Sequence, residues 1–204
     1  MEALILVDIQ NDFLPGGALA VPEGAQIIPV VNKLQKNFGL VVATQDFHPA
    51  DHKSFAANHA GKQPGDHIEL QGMDQILWPV HCVQGSQGAA FADTLRMDKV
   101  EKVFPKGTEP EIDSYSGFFD NGHLKATGLG DYLKEKGIER VVIVGLAADY
   151  CVKFTALDAV GLGFETTVVK DATRAVNLQE GDFEKALDEM KNQGVTIVDS
   201  TALL

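Results

Sequence analysis

The chain has 204 residues, enough for one well-buried domain and few for two, so we expect a single domain over residues 1–204. Its balance of 45% hydrophobic and 23% charged residues is typical of a soluble globular protein. A net charge of −12 without any basic run argues against nucleic acid or a membrane as a partner. No transmembrane span or signal peptide is evident, and two cysteines make no disulfide framework. We therefore expect a cytoplasmic protein, either a monomer or a homo-oligomer.

Strand-like and helical patterns alternate along the chain. Apolar, β-branched runs predict six strands, at residues 3–7, 40–44, 100–104, 140–144, 165–169 and 195–198. Helical patterns cover residues 25–37, 129–136, 150–160 and 181–192, with a further short helix near 89–95. This order predicts an α/β fold, a doubly wound, mostly parallel sheet of about six strands with helices on both faces. A stretch at about 46–98, rich in His, Gly and Pro, shows no strand pattern and is interpreted as a functional insertion.

A cysteine follows the predicted strand at 140–144. Gly145 ends this strand, Asp149 is suited to cap a following helix, and Cys151 then lies in the first helical turn. Free backbone N–H groups and the positive end of the helix dipole favour a thiolate at this position. Ligands bind at this edge of α/β sheets, so Cys151 is a candidate nucleophile, with a buried structural cysteine as the alternative. Cys82 has no strand-to-helix setting, and we interpret it as structural.

Two charged residues also stand at ends of predicted strands. Asp8 ends the first strand, and Lys106 lies just beyond the third. If these strands neighbour the one that leads to Cys151, the three side chains meet in one crevice. There the carboxylate can act as the base for the thiol, and the ammonium group can stabilise the thiolate. Taken singly, Asp8 could be a turn cap and Lys106 a solvated loop charge, so it is their joint placement that indicates an active site.

The 46–98 stretch contains candidate metal ligands. Asp46 and His48 are two residues apart, so in an extended segment both side chains face the same way, and His81 follows further along the chain. One carboxylate and two imidazoles leave coordination positions open, which suits one divalent ion, Zn²⁺ first and Fe²⁺ or Mn²⁺ as alternatives. His52 is a possible fourth ligand, although loop histidines are often plain surface residues.

Five short motifs occur in order along the chain, at residues 7–13, 46–49, 78–83, 104–107 and 145–152. Together they resemble the nicotinamidase/pyrazinamidase family of isochorismatase-like cysteine hydrolases, and the resemblance runs from residue 3 to about 200. Isochorismatases and N-carbamoylsarcosine amidases share the fold and the cysteine but generally lack the metal site. The chain has Phe47 where many relatives have Trp, and Ala148 where many have Thr. Neither difference removes a catalytic group.

The resemblance implies specific roles for residues of this chain. The family's Asp–Lys–Cys triad falls on Asp8, Lys106 and Cys151. Its metal site falls on Asp46, His48 and His81, and the peptide bond before Ala147 is expected to be cis. The backbone N–H groups of Ala147 and Cys151 would receive the oxyanion. Candidate walls around a flat substrate ring are Phe13, Leu19, Trp78 and Tyr115.

The activity implied by the resemblance is a metal-dependent amide hydrolysis. Nicotinamide would become nicotinic acid and ammonia through a cysteine thioester, in NAD salvage, and pyrazinamide would become pyrazinoic acid. The metal would bind the pyridine nitrogen, its own waters, or both. Two alternatives stay open, another cysteine amidohydrolase of the superfamily and a non-catalytic metal-binding or redox-sensing protein. A lone reactive cysteine suits redox sensing poorly, although Cys82 could supply a resolving partner.

Overall fold

The computed structural model describes residues 1–204 and is built around a six-stranded parallel sheet. In chain order the strands are β1 (Glu2–Val7), β2 (Leu40–Asp46), β3 (His67–Leu70), β4 (Met73–Ile76), β5 (Val100–Lys106), β6 (Arg140–Leu146), β7 (Glu165–Arg174) and β8 (Thr196–Val198). Strands β3 and β4 form a separate antiparallel hairpin. The other six pair in the order β5-β2-β1-β6-β7-β8, which confirms the predicted fold class.

Helices cover both faces of this sheet. They are α1 (Ile28–Leu34), α2 (Leu129–Glu135), α3 (Lys153–Gly161) and α4 (Asp182–Asn192). Side chains of β1 alternate between the faces, so that Leu4 and Leu6 join a core with α1, whereas Ile5 joins the core with α2, α3 and α4. Full burial of each such side chain contributes about 1.5–3 kcal/mol. None of the helices combines the length and the apolar composition that a membrane span needs.

Two predictions for the 46–98 stretch are wrong. It contains the β3–β4 hairpin, whose turn residues Gln71 and Gly72 both have positive φ, at 52° and 76°. A Gln in place of the usual Asn or Asp hides this two-residue turn from sequence analysis. The predicted helix near 89–95 does not form, because its backbone pairs with residues 9–11. The Ala90 carbonyl accepts the Asn11 N–H, and the Ala92 N–H donates to Ile9.

The strand order also corrects the expected neighbours of the strands that lead to Asp8, Lys106 and Cys151. Strand β1 lies between β2 and β6, whereas β5 lies beyond β2. Asp8 and Lys106 therefore come from strands that are not adjacent. Asp46, the last residue of β2, stands between them, and its register partner is Lys106, which ends β5 rather than following it.

Candidate active site and metal site

The cysteine lies where β6 turns into a helix. Gly145 has a φ of 123°, and a Cβ there would come within 2.0 Å of the Val7 carbonyl oxygen, so glycine is required for β6 to lie against β1. The peptide bond between Leu146 and Ala147 is cis, as the resemblance implies. A widened helical turn over Ala148–Val152 then leads into α3 and carries Cys151. The Ala147 N–H donates no backbone hydrogen bond, which leaves it free for an oxyanion.

Asp149 does not cap this helix, contrary to the sequence prediction. The helical turn begins at Ala148, after Ala147, and Asp149 lies inside it with its carboxylate turned toward another loop. Its two oxygens accept hydrogen bonds of 2.9 Å from the backbone N–H groups of Val176 and Asn177. The carboxylate thus holds the loop after β7 against the turn that carries the cysteine.

Lys106 brings the predicted triad together. Its Nζ lies 2.9 Å from Asp8 Oδ2 and 3.5 Å from Cys151 Sγ, and all three side chains are buried. The same ammonium group donates to Asp46 Oδ1 at 2.9 Å and to the Ser114 carbonyl oxygen at 2.8 Å. These contacts confirm that the three side chains meet in one crevice.

The protonation state of Cys151, beside Asp8 and Lys106, differs from the thiolate that the sequence predicts. Burial raises the pKa of the Cys151 thiol well above its usual value, and the negative charge of Asp8 adds to the effect, although Lys106 opposes it. Burial also raises the pKa of Asp8, against the opposing charge of Lys106. Burial alone would lower the pKa of Lys106, but Asp46 and Asp8 raise it well above its usual value. The ammonium group therefore stays charged, and the raised pKa of Cys151 favours the protonated thiol.

Asp46, His48 and His81 converge as a group that could hold a metal ion. Asp46 Oδ2 lies 3.1 Å from His48 Nε2 and 3.3 Å from His81 Nε2. Each imidazole turns its other nitrogen, Nδ1, to a backbone carbonyl at 2.8 Å, that of Gly107 for His48 and that of Pro79 for His81. A carbonyl can only accept, so each Nδ1 carries a hydrogen and each Nε2 faces Asp46. This second layer of hydrogen bonds is typical of histidines that bind metals.

Gly107 makes room for this arrangement. A Cβ at this position would lie 2.4 Å from His48 Cε1 and 2.6 Å from His48 Nδ1. A side chain at residue 107 would therefore displace the imidazole from its carbonyl partner. Within the motif at 104–107, Lys106 contacts Cys151 and Gly107 leaves room for the imidazole of His48.

His52 does not join the group formed by Asp46, His48 and His81. Its Nδ1 accepts the Ser54 N–H at 3.1 Å, and its Nε2 lies 3.3 Å from the Ile112 carbonyl oxygen, so both ring nitrogens have partners. Burial lowers the pKa of His52 to about 4, which keeps the ring neutral. The ring packs 4.4 Å from that of His48. His52 therefore lies beside His48, and with His48 and Asp113 it forms a second cluster whose possible donor atoms all lie within 4.8 Å of one another.

A narrow pocket opens on Cys151. The predicted walls Phe13, Leu19, Trp78 and Tyr115 all line it, together with Asp46, His81 and Ala147. Three further lining residues escaped the sequence analysis: Asp113, Tyr150 and Val176. Tyr150 could have been found from its place next to the cysteine, whereas Val176 reaches the pocket only through the loop held by Asp149.

Two polar residues of the 7–13 motif support the metal ligands and were also missed. Gln10 is fully buried, and its amide accepts the Asp46 N–H and donates to the Asp46 carbonyl oxygen, both at 2.8 Å. Asp12 accepts the N–H of Cys82 at 2.7 Å, which fixes the residue that follows His81. Their signal in the sequence was the run of amide and carboxylate side chains directly after a buried strand.

The two cysteines lie in different parts of the core. Cys82 belongs to the core on the α1 face of the sheet, whereas Cys151 packs in the core on the opposite face. Both thiols are buried and free, and the Sγ of Cys82 lies 3.9 Å from the Gly88 carbonyl oxygen. This placement fits a structural role for Cys82 and gives Cys151 no resolving partner.

Comparisons with known proteins agree with this site. Residues 2–202 match the family described as Isochorismatase domain. The chain is 48% identical to the nicotinamidase of Escherichia coli over 200 residues, which cover 96% of this chain and 93% of the relative. A solved nicotinamidase/pyrazinamidase of Acinetobacter baumanii is 49% identical with a TM-score of 0.97, covering 100% of this chain and 98% of that one.

A second solved structure is described as pyrazinamidase of Pyrococcus horikoshii in complex with zinc. It is 42% identical to this chain with a TM-score of 0.79, and the match covers 97% of this chain and 98% of that one. Similarity of this extent, over nearly the whole length of each protein, shows membership of the same family and not only a shared fold. The chain therefore belongs to the nicotinamidase/pyrazinamidase family of isochorismatase-domain proteins.

Proposed function

We propose that this protein is an amidohydrolase that converts nicotinamide to nicotinic acid and ammonia, and that it also accepts pyrazinamide. The observation that carries the proposal is the meeting of Cys151, Asp8 and Lys106 beside a pocket that Cys151, Asp46 and His81 line. Asp46 and His81 belong to the Asp46–His48–His81 group. Relatives at 46–49% identity bear the name nicotinamidase. The placement in NAD salvage follows from this activity.

In the first half-reaction, Asp8 accepts the thiol proton and the Cys151 sulfur attacks the carboxamide carbon. Lys106 keeps the carboxylate and the developing thiolate close together, because its ammonium group contacts both. The Ala147 and Cys151 N–H groups receive the oxyanion, where each donor contributes about 3 kcal/mol to the transition state. Asp8 then returns its proton to the departing ammonia, and a thioester remains on Cys151.

The second half-reaction releases the acid. Asp8, now ionised again, takes a proton from a water molecule that attacks the thioester carbon. The sulfur leaves and recovers this proton from Asp8, and nicotinic acid is formed. The protonated thiol, which the raised pKa of Cys151 favours, is thereby restored.

The donor set at Asp46, His48 and His81 fits a divalent ion. Two imidazole Nε2 atoms and one carboxylate oxygen face one another, each imidazole is fixed by a backbone carbonyl, and positions stay open for further ligands. When bound there, the ion supplies a Lewis acid that can orient a ring nitrogen or polarise water. We propose zinc as the ion, since this donor set suits it, and a cytoplasmic location for the enzyme.

A substrate panel tests the proposed function. Purified protein loaded with zinc should release ammonia from nicotinamide and from pyrazinamide, with the matching acid as the second product. N-carbamoylsarcosine and isochorismate serve as substrates of the rival activities of the superfamily. Turnover of either rival, with none of nicotinamide, would contradict the proposal, and absence of turnover on the whole panel would favour a non-catalytic role.

A further inference from the structure

A second, larger cavity adjoins the substrate pocket. It measures about 490 Å³ and lies between the β3–β4 hairpin, the helix that follows Cys151, and α4. Only Tyr115 and Tyr150 line both this outer cavity and the substrate pocket. The two tyrosines therefore form the partition between the two spaces.

The two halves of this partition differ in how firmly they are held. The Tyr115 hydroxyl accepts hydrogen bonds of 3.1 Å from Trp78 Nε1 and Gln75 Nε2, and its ring is stacked on Phe154 with centroids 5.3 Å apart. The Tyr150 hydroxyl makes no hydrogen bond within the protein, and its ring is held by edge contacts to Trp78 at 4.9 Å and to Tyr115 at 5.4 Å. Tyr115 is thus fixed at its polar end, and Tyr150 stays in place by ring packing alone.

The outer cavity has the chemical character of a site for uncharged aromatic groups. Its cationic side chains already have acidic partners: Lys153 Nζ lies 2.9 Å from Glu189, and Lys185 Nζ lies 3.3 Å from Asp182. No lysine is therefore left free to attract an anion, and the Asp149 carboxylate is held by two backbone N–H groups. Phe154 and the far side of the tyrosine partition provide aromatic surface, and Phe154 is 37% exposed.

We propose that Tyr150 determines the size of the substrate, because it closes the substrate pocket against this outer cavity. Without its ring the two spaces join, and the outer cavity takes the extra ring of a larger heteroaromatic carboxamide. The inference rests on the proposed amidohydrolase function and adds the residue that limits its range. The carboxamide stays at Cys151 while the substituent extends through the space that the phenol ring has left into the outer cavity.

The test compares two bulky amides, quinoline-3-carboxamide and 5-phenylnicotinamide, with nicotinamide. For each enzyme we would measure the ratio of kcat/KM for the bulky amide to that for nicotinamide. Tyr150→Ala should raise this ratio at least tenfold for one of the two, whereas Tyr150→Phe, which keeps the ring, should leave the ratio as in the parent. An unchanged ratio for both amides in Tyr150→Ala, or an equal rise in Tyr150→Phe, would overturn the proposal.

A second substitution tests the role of the outer cavity itself. Phe154→Trp, added to Tyr150→Ala, fills part of this cavity beside Tyr115 and should reduce the gain on the bulky amide at least threefold. A gain that persists in full would show that the extra ring does not enter the outer cavity, and would overturn that part of the proposal.

Measuring how tightly the acid products bind tests the role of Tyr150 independently of turnover. Quinoline-3-carboxylic acid and 5-phenylnicotinic acid, measured by isothermal calorimetry, should bind Tyr150→Ala more tightly relative to nicotinic acid than they bind the parent. Tyr150→Leu serves as the second variant if the alanine variant does not fold. Failure of the parent enzyme to hydrolyse nicotinamide would refute the proposed function alone, since binding still reports whether Tyr150 limits pocket size. Relative affinities that do not change in either variant would refute the role of Tyr150.

Discussion

Lys106 and Asp46 form a buried ion pair, with 2.9 Å between Nζ and Oδ1, that joins the proposed nucleophile to the proposed metal ligands. The other oxygen of Asp46 faces both imidazoles, so one carboxylate serves both halves of the site. Burial alone would raise the pKa of Asp46, but the charges of His48 and Lys106 hold it well below its usual value. The two sites are therefore electrostatically coupled, and a change at Lys106 acts on both.

The first prediction follows from this coupling. Lys106→Ala leaves the carboxylates of Asp8 and Asp46 buried without their cation, and breaking such a pair typically costs about 3–5 kcal/mol of stability. Turnover should fall by a factor on the order of 10³, because neither the carboxylate nor the developing thiolate keeps its partner. Urea unfolding and ammonia release measure the two effects. Lys106→Met, which fills the volume without the charge, should lose activity to the same extent, and an active Met variant would refute the electrostatic role.

The second prediction separates the two cysteines. Cys151→Ala should abolish ammonia release while the fold and the bound metal stay intact, since Lys106 keeps its contacts to Asp8, Asp46 and Ser114. Cys82→Ala removes a fully buried thiol and should cost about 1 kcal/mol of stability with most of the turnover kept. Circular dichroism and metal content accompany the assay. The opposite outcome for the two variants would mean that the nucleophile has been assigned to the wrong residue.

The architecture and the candidate reactive groups were predictable from the sequence for physical reasons that the structure makes clear. Apolar runs such as 141–144 are buried on both sides of the sheet, so local composition alone identifies them as central strands. Cys151 and Asp8 stand at ends of such strands, and the metal ligands lie in short motifs that the resemblance located. In these cases the determining residues are close together in sequence.

The features that escaped prediction depend on contacts between distant segments. Asp149 looked like a helix cap because its partners, at 176 and 177, are more than 25 residues away. The high pKa of the Cys151 thiol arises from burial beside Asp8, which a helix-dipole argument does not include. The 89–95 segment pairs with residues 9–11 instead of forming a helix. Tertiary burial and pairing, rather than local propensity, decided each of these.

The third prediction concerns Asp149 as a positioning residue for the pocket. Asp149→Ala leaves the Val176 and Asn177 N–H groups without an acceptor, at a cost of about 1–3 kcal/mol for each one that stays buried. Val176 should then move at the pocket wall, so that KM for nicotinamide rises several-fold more than kcat falls. Asp149→Asn should be intermediate, because its single carbonyl oxygen replaces one of the two acceptors.

Asp182→Ala is the matched control for Asp149. It also removes a carboxylate bonded to this loop, at the Gln179 N–H, but does not touch Val176. Steady-state kinetics should show a larger KM for the Asp149 variants alone. Equal changes in KM for both positions would mean that the loop is merely loosened and that Asp149 has no specific role at the pocket.

The fourth prediction tests the metal ligands. His48→Ala should lose bound zinc and nicotinamide hydrolysis together, whereas His52→Ala should keep most of its zinc, because both nitrogens of His52 already have protein partners. Metal analysis after gel filtration, alongside the ammonia assay, compares the two.

Benzamide, which lacks a ring nitrogen, should be a poor substrate of the intact enzyme. Full activity after rigorous removal of metal would contradict a catalytic ion, and equal rates on benzamide would contradict orientation through the ring nitrogen.

The last prediction is a pH dependence of metal binding that originates at His48. Burial alone would lower its pKa, but the charge of Asp46 raises it to about 9 in the metal-free protein, against 6.5 for an ordinary histidine. The proton on this imidazole therefore stabilises the metal-free fold fully below pH 6.5, and the contribution is lost as the pH rises through about 9. Zinc must displace this proton, so its apparent affinity should rise about tenfold per pH unit between these values, with one proton released per ion. Competition with a chelator in buffers of different ionisation enthalpy measures both quantities. His48→Gln, which cannot take up the proton, should lose most of the zinc affinity and also its dependence on pH. A zinc affinity of the parent protein that does not change between pH 6.5 and 9 would show that Asp46 does not hold His48 protonated.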